Sequence, residues 1–286
     1  IQIQFLSINK KFETALEMGL LQDKVFITAA YFQNRSSNQL VGIPLPGTTG
    51  FTSMQANLNA VVQNTGLEFT VNTTNITNDS FNWKTSFNIS VPKNKLVAFP
   101  GLQNSAYKEQ FRIGEPLNIQ LAYNFLGVDP ETGIYQFEDV NGDGQITFPD
   151  DKQTVVDLSP EFFGGLQNQV AYKRWTLDFL FQFVKQKRAS FTLGNAGGMN
   201  NQPVELVNSW QNPGDSSPYQ VYTTGFNSDA ITAHSFYESS TGAFEDGSFI
   251  RLKTLSLTYN IPLNSKKVDC KISAQAQNLL TFTKYR

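Results

Sequence analysis

The sequence predicts an all-β fold whose strands have one apolar and one polar face, and three observations support this. Residues 81–91 alternate without a break, with Phe, Trp, Thr, Ile and Val at odd positions and Asn, Lys and Ser at even ones. Strand side chains point alternately to opposite faces, so the two sides of this segment differ chemically. The same alternation recurs along the chain. Aromatic residues make up 13% of the 286 residues and charged residues only 16%, which suits strands that face lipid but also a secreted β-protein.

Ten segments alternate strongly enough to predict strands. In chain order they are approximately 12–18, 24–32, 53–63, 66–73, 81–91, 116–126, 166–172, 175–184, 249–260 and 269–280. The apolar positions change from even to odd near Lys253, which predicts a β-bulge there. The single cysteine, Cys270, lies in the last strand and is interpreted as a structural residue. No run of about 20 apolar residues is present, which excludes a membrane-spanning helix.

Two folds accommodate such strands. In a soluble β-sandwich the apolar face meets a second sheet, whereas in an outer-membrane barrel it meets lipid and the polar face lines a hydrated lumen. The connections favour the barrel, because they are of two kinds. Three are predicted to be tight turns, at 19–23, 92–95 and 173–174, and three are predicted to be long loops, at 33–52, 127–165 and 185–248. Short periplasmic turns and long extracellular loops are typical of such barrels. We therefore predict a transmembrane antiparallel up-and-down β-barrel, with a sandwich as the alternative.

The charge and the reactive residues exclude several functions. A net charge of -2 and a sequence pI near 5.5 argue against nucleic-acid binding. The only histidine, His234, is interpreted as a solvated loop residue, and no phosphate-binding loop or nucleophile elbow is present. Glu68 and Asp178 are predicted to face the lumen. The chain is therefore predicted not to be an enzyme, and no substrate-binding residue is assigned.

The segment 139–151 predicts a calcium site. Oxygen-bearing side chains stand at alternate positions, a glycine permits a sharp turn, and an acid stands at the twelfth place, as in calcium-binding loops. The predicted ligands are Asp139, Asn141, Asp143, the carbonyl of Gln145, and Asp150. Asp150 replaces the usual glutamate, and Asp151 is an alternative carboxylate. The competing interpretation is an Asn/Gly/Asp turn without metal. If calcium binds, it has a structural role in this loop.

Several segments resemble one known family, and they occur in that family's order along the chain: 11–20, 44–51, 63–69, 81–85, 93–95, 139–144, 249–259 and 275–285. With them the chain resembles the SusC/RagA-type TonB-dependent outer-membrane transporters of Bacteroidetes. The resemblance implies a plugged barrel of 22 strands, of which residues 1–286 would be a C-terminal part with about ten strands. A signal peptide, plug domain and early strands are expected before Ile1, and a last strand after Arg286.

The resemblance also implies a function and partners. A transporter of this type imports oligosaccharides or peptides across the bacterial outer membrane, and its wall contacts membrane lipid. The implied partners are a SusD-like surface lipoprotein, and TonB with its inner-membrane motor, which acts through the N-terminal region. The segments 127–165 and 185–248 would be extracellular loops, and the aromatic-rich 185–248 is expected to meet the lipoprotein. The alternative is a secreted calcium-dependent β-sandwich that binds glycans or mediates adhesion.

Overall fold

The structure is a computed structural model that describes residues 7–44, 47–190, 194, 198, 201–223, 225–263 and 268–285. Within these residues the chain forms fourteen β-strands, one α-helix and four 3₁₀ helices. In chain order the strands are β1 (Ile8–Leu20), β2 (Val25–Pro44), β3 (Ser53–Thr77), β4 (Phe81–Ala98), β5 (Ile119–Ala122), β6 (Phe125–Val128), β7 (Tyr135–Phe137), β8 (Thr154–Asp157), β9 (Phe162–Tyr172), β10 (Trp175–Lys185), β11 (Lys187–Ala189), β12 (Phe244–Asp246), β13 (Phe249–Ile261) and β14 (Cys270–Thr283). The helix α1 is Ser228–Tyr237, and the 3₁₀ helices are Gly47–Thr49, Leu102–Asn104, Val204–Asn208 and Thr241–Ala243.

The chain divides into two compact units. The first, called the sheet unit, contains the chain up to Leu117 together with Ser159–Gln186 and Gly247–Lys284. The second, called the loop unit, contains Asn118–Leu158, Lys187–Asp246 and Tyr285. Among the described residues, no helix has the length and apolar character that a membrane crossing requires.

The sheet unit is built on one antiparallel sheet of eight strands. Their order is β1-β2-β3-β4-β9-β10-β13-β14. Among these eight strands, each one therefore pairs with the strand that follows it in the chain. Every neighbouring pair is antiparallel. This up-and-down arrangement confirms the predicted fold class, because strands of an outer-membrane barrel are connected in this way.

Two adjacent rows of paired residues show that the sheet has two chemically different faces. One row crosses six strands with polar side chains only: Thr74, Lys84, Gln169, Asp178, Ser256 and Gln275. The next row is apolar throughout: Ile76, Trp83, Val170, Leu177, Leu257 and Ala274. We call the face of the first row the polar face and that of the second row the apolar face.

The apolar face remains open within the described chain. Leu67 is 61% exposed, Ile272 62% and Phe282 61%, and all three lie on this face. A β-sandwich would bury these side chains against a second sheet. Large exposed apolar surface of this extent marks a contact with lipid or with another protein, so the geometry favours the barrel over the sandwich.

The predicted division of 53–73 into two strands is wrong, since β3 runs unbroken from Ser53 to Thr77. Asn64 and Thr65, which lie between the two predicted strands, remain paired on both sides, and Asn94 Nδ2 donates to Asn64 Oδ1 at 2.6 Å. Gly66 leaves room for the Phe32 ring, because a Cβ at this position would lie 2.6 Å from Phe32 Cζ and would displace that side chain. Neighbouring strands therefore keep this segment extended.

Two predicted connections are also wrong. The tight turn at 92–95 lies inside β4, where Pro92 pairs with Gly66. The pairing of β4 with β9 ends at Ser90, so beyond it β4 has lost that partner, and proline is tolerated on such an edge. The loop predicted at 33–52 begins only after Pro44, because β2 continues to that residue.

The strand predicted at 116–126 is replaced by β5 and β6 of the loop unit, which pair with β8 and β7. Between them, the Tyr123 N–H donates to the Ser239 carbonyl at 3.1 Å, and the Thr241 N–H donates to the Tyr123 carbonyl at 2.8 Å. These bonds to a distant part of the chain interrupt the ladder. The alternating pattern was present, but these strands pair with β8 and β7 of the loop unit and not with the large sheet.

Other predicted features are confirmed. Lys253 is left out of both ladders, since pairing passes from Leu252 to Thr254 on either side of β13. Turns connect β1 to β2 and β9 to β10, and Lys173 has a φ of 52°. At the other end of the sheet unit, Leu96 is 1% exposed and belongs to a small core with Ala60, Phe99 and Leu102.

Candidate functional site

The segment 139–145 of the loop unit folds as a tight turn held by its own side chains. Gly142 and Gly144 have φ values of 73° and 82°, a region that favours glycine. Their N–H groups donate to Asp139 Oδ1 and Oδ2, each at 2.7 Å. The sequence folds in this way because a short carboxylate can accept bonds from the backbone of the next few residues.

Asn141 and Asp143 complete the turn. Asn141 Nδ2 donates to Asp143 Oδ2 at 3.0 Å, and the Asp143 N–H donates to Asn141 Oδ1 at 3.0 Å. The Gln145 N–H donates to Asp143 Oδ1 at 2.8 Å. The structure therefore brings the first three predicted ligands together with Gln145 in one exposed turn.

Asp151 closes the segment. Its side chain is fully buried, Oδ1 accepts from the Val140 N–H at 2.8 Å and Oδ2 accepts from the Thr147 N–H at 2.7 Å. The Thr147 N–H bond, assisted by that of Val140, holds the pKa of this carboxyl below its usual range. Asp150 is exposed. The buried carboxylate that joins both ends of the turn is thus Asp151, and Asp150 stays a predicted ligand.

The donor set suits a hard cation. Within the described residues, no group of three or more His, Cys, Asp or Glu side chains is placed to hold a metal ion. The turn instead offers two carboxylates, one amide oxygen and main-chain carbonyls, which is an oxygen-only set of the kind that Ca²⁺ takes. Because each carboxylate oxygen has two lone pairs, the backbone bonds leave acceptor capacity on Asp139 and Asp143.

The interpretation of His234 as a solvated residue is wrong. It lies in α1 and is 1% exposed, and its Nε2 is 3.6 Å from Glu238 Oε1. The missed signal was Asn227, whose side chain accepts from the Ala230 N–H at 3.1 Å and caps the helix. Apart from Ala230 and Ala233, the residues of α1 have weak helix propensity, so the capping asparagine was the only local signal for this helix.

The aromatic residues of 185–248 divide between packing and exposure. Trp210 is 9% exposed and its Nε1 donates to the Pro130 carbonyl at 2.9 Å. Tyr237 stacks on Tyr135 with ring centroids 4.5 Å apart. Phe226, by contrast, is 88% exposed. Most of these rings therefore stabilise the loop unit itself.

The polar face of the sheet unit carries the predicted lumen-facing acids. Asp178 accepts from Gln167 Nε2, at 3.1 and 3.2 Å to its two oxygens. Both side chains line a shallow cavity of about 290 Å³ that also includes Lys84. Glu68 pairs with Ser90 on the same face. Both acids therefore lie on the polar face, and Asp178 is hydrogen-bonded to the neighbouring strand.

Four aromatic residues form a row on the apolar face beside the short turns. Phe81 pairs with Tyr172, Tyr172 with Trp175, and Trp175 with Tyr259. The rings of Trp175 and Tyr259 are 4.6 Å apart, and Tyr172 and Trp175 are 50% and 48% exposed. Outer-membrane barrels carry such aromatic girdles where the apolar band ends.

A buried polar side chain lies on the apolar face above this row. Asn168 is 8% exposed, and its Oδ1 accepts from Trp83 Nε1 at 2.9 Å and from Thr85 Oγ1 at 2.7 Å. The amide oxygen is therefore satisfied by neighbours on the adjacent strand, which lowers the cost of placing it on this face.

Known proteins resemble this chain along nearly its whole length. No family model matches it. It is 28% identical over 309 aligned residues to TonB-dependent receptor P3 of Formosa agariphila, an alignment that covers 97% of this chain and 30% of that protein. It is 20% identical over 293 residues to TonB-dependent receptor SusC of Bacteroides thetaiotaomicron, covering 95% of this chain and 28% of that protein.

The fold is similar to that of a solved transporter. The structure of the RagAB peptide transporter matches with a TM-score of 0.77 at 23% identity, covering 98% of this chain and 32% of that one. These comparisons confirm the predicted resemblance to the SusC/RagA type. The chain spans about 30% of the length of the relatives that it matches. They are named as receptors and transporters, which is consistent with a protein that is not an enzyme.

Proposed function

From its similarity to SusC/RagA-type TonB-dependent receptors, we propose that this chain supplies wall and surface loops of an importer in the bacterial outer membrane. The cargo is an oligosaccharide or a peptide. A SusD-like lipoprotein is the partner at the surface loops, and TonB with its inner-membrane motor supplies the energy through a region outside this chain. Similarity over nearly the whole chain to proteins named TonB-dependent receptors supports the assignment.

The observation that carries the proposal is the exposed apolar face of the eight-stranded sheet. Its apolar row and its polar row run side by side across six strands, and an aromatic row lies beside the short turns. Lipid satisfies the first face and water the second. No residue of such a wall needs to perform chemistry.

The experiment is nutrient uptake by cells that carry the intact protein. Deletion of the reading frame is expected to abolish growth on the oligosaccharide or peptide that it imports, and restoration of the protein is expected to restore growth only when TonB is present. Co-purification of a surface lipoprotein would support the partner. Growth on every oligosaccharide and peptide source unchanged by the deletion would refute the import function.

We also propose that calcium stabilises the turn at Asp139, Asn141 and Asp143, with the Gln145 carbonyl and with Asp150 or Asp151 closing the site. Oxygen ligands in a turn already held by backbone bonds fit this hard cation. Exchange of Asp139 and Asp143 for Asn keeps the side-chain size but removes two negative charges. The bound calcium per protein is expected to fall by one.

The matched control is Asp157→Asn, which removes a charge from β8 outside the turn. Metal content is measured by mass spectrometry of the purified protein after dialysis against a fixed calcium concentration. Equal calcium in the double variant and the unchanged protein would contradict the site.

A further inference from the structure

The loop unit contains a groove that has no role in the barrel wall, and part of its lining comes from the turn at 139–145, called here the calcium-type turn. Its volume is about 860 Å³, within the 300–1,000 Å³ range of many ligand-binding sites. One wall is α1, whose lining residues stand at the spacing of a single helix face: Asp229, Thr232, Ala233 and Phe236. The other sides are Leu126 and Tyr135–Phe137 of β6 and β7, and Gly144–Ile146 of the calcium-type turn.

The lining is mainly apolar. Leu126 is 61% exposed, and Ile146 and Phe236 are half-buried. An exposed leucine at the edge of a concave apolar site leaves surface that a ligand can cover. The groove would therefore gain stability from an aliphatic or aromatic group of a ligand.

The charge of the lining has one sign. Asp229 is exposed at the first turn of α1 and is the one acid among the described lining residues, which include no Lys, Arg or His. Its Oδ1 lies 3.2 Å from the Ser228 hydroxyl. A cationic group is attracted to this carboxylate, whereas an anionic ligand meets no compensating charge.

The aromatic rings of the groove are already committed to one another. Phe236 packs against Tyr123 with centroids 5.0 Å apart and meets Phe137 edge to face at 5.9 Å. An oligosaccharide stacks most favourably on an exposed ring face, whereas the most exposed apolar surface of this groove is the aliphatic side chain of Leu126. Side chains of a peptide fit the remaining apolar surface better.

We propose that the groove binds a peptide segment that carries an apolar and a basic side chain. The basic group lies beside Asp229, and the apolar group packs on Leu126, Ile146 and Phe236. Neutral amides of Gln136 and Gln145 are available for the peptide backbone. The inference rests on the proposed import function in treating this peptide as cargo, since binding alone would not distinguish cargo from another ligand.

The test measures binding to the intact protein in detergent micelles at constant calcium. The probe is a fluorescent hexapeptide of alternating leucine and arginine, and the comparison ligands are the same peptide with glutamate for arginine and a neutral hexaose. Fluorescence anisotropy is expected to show binding of the basic peptide only. Equal binding of the acidic peptide, or binding of the hexaose that displaces the basic peptide, would overturn the proposal.

Two variants locate the site. Asp229→Asn is expected to weaken binding by about fivefold, the range of one exposed ion pair, and Thr232→Trp is expected to fill the groove and abolish binding. Glu131→Gln removes one exposed charge elsewhere in the loop unit and is expected to bind as the unchanged protein does. Unchanged affinity in Asp229→Asn would refute the assignment even if Thr232→Trp does not fold.

Transport separates this inference from the proposed function. If the variants lose peptide binding and the cells that carry them lose peptide uptake, the groove proposal and the import function are both supported. Uptake that continues while the variants lose binding keeps the groove as a peptide site and removes its role in import. If neither variant affects peptide binding, the groove proposal is refuted, and the proposed import function does not depend on that result.

Discussion

Replacement of Phe87 by arginine tests the assignment of the apolar face. Phe87 lies six residues after Phe81, which belongs to the aromatic row beside the short turns. At a rise of about 3.4 Å per residue and a strand tilt of about 40°, Phe87 stands roughly 15 Å above that row. An apolar band about 25 Å tall places this height near the membrane midplane. The free energy of unfolding is expected to fall by about 2–4 kcal/mol, the cost of arginine at that depth.

Two matched variants give this prediction its control. Asn88→Arg places the same charge one residue further along β4 on the polar face, where Asn88 is exposed, and Phe81→Arg places it in the aromatic row. Each is expected to cost about 1 kcal/mol or less, because charge at the interface or in a hydrated lumen is tolerated. Unfolding in urea is measured with the intact protein in lipid vesicles. An equal loss for Phe87→Arg and Asn88→Arg would refute the reasoning.

Three further predictions concern burial and titration. Leu96→Ala, in the small core of the sheet unit, is expected to lower the free energy of unfolding by about 2–5 kcal/mol in urea titrations. Burial, with a contribution from Tyr237, raises the pKa of Tyr222 to about 12. The neutral, buried Tyr222 side chain therefore stabilises the fold fully below the ordinary tyrosine pKa of 10.0, and this contribution is lost as the pH rises toward 12. An ultraviolet titration should show one tyrosine that ionises late, and that ionisation should be absent in Tyr222→Phe. Because its pKa is lowered, the ionised Asp151 carboxylate stabilises the turn at every pH above the ordinary aspartate pKa. This stabilisation is lost as the pH falls through the lowered pKa. Asp151→Asn should remove that acid transition from the amide spectra of the loop unit, and an unchanged transition would contradict the assignment.

Much of the sheet could be predicted because alternation is a local property of the chain. The face of a side chain in β10, or in β4 up to Lys95, is determined by its parity alone. The bulge at Lys253 was visible for the same reason, since an unpaired residue changes the parity of the apolar positions after it.

Strand limits were harder to predict because they depend on neighbouring strands. Asn64 and Gly66 are typical of a turn, yet Phe32 occupies the space beside Gly66 and the ladders on both sides continue. Pro92 is typical of a break, but it lies where β4 has lost its partner β9. These tertiary effects override local preference.

The candidate site was predicted to the extent that it is local. The spacing of Asp139, Asn141 and Asp143 defines a turn that the chain forms with its own backbone. Spacing alone did not show that Asp151 is buried across both ends of the turn. The groove was not predicted, because one wall is α1, which is distant in the sequence from the other walls formed by β6, β7 and the turn.

The most direct test of the transmembrane assignment measures which medium covers the odd-numbered residues of β4. A nitroxide is placed at each position from 81 to 91 in a Cys270→Ser background, and its collisions with oxygen and with a water-soluble nickel chelate are recorded in lipid vesicles. Oxygen collisions should peak at odd positions and nickel collisions at even positions, because lipid dissolves oxygen and excludes the chelate. Odd positions that neither reagent reaches would mean that protein covers them, and the transmembrane assignment would then be wrong.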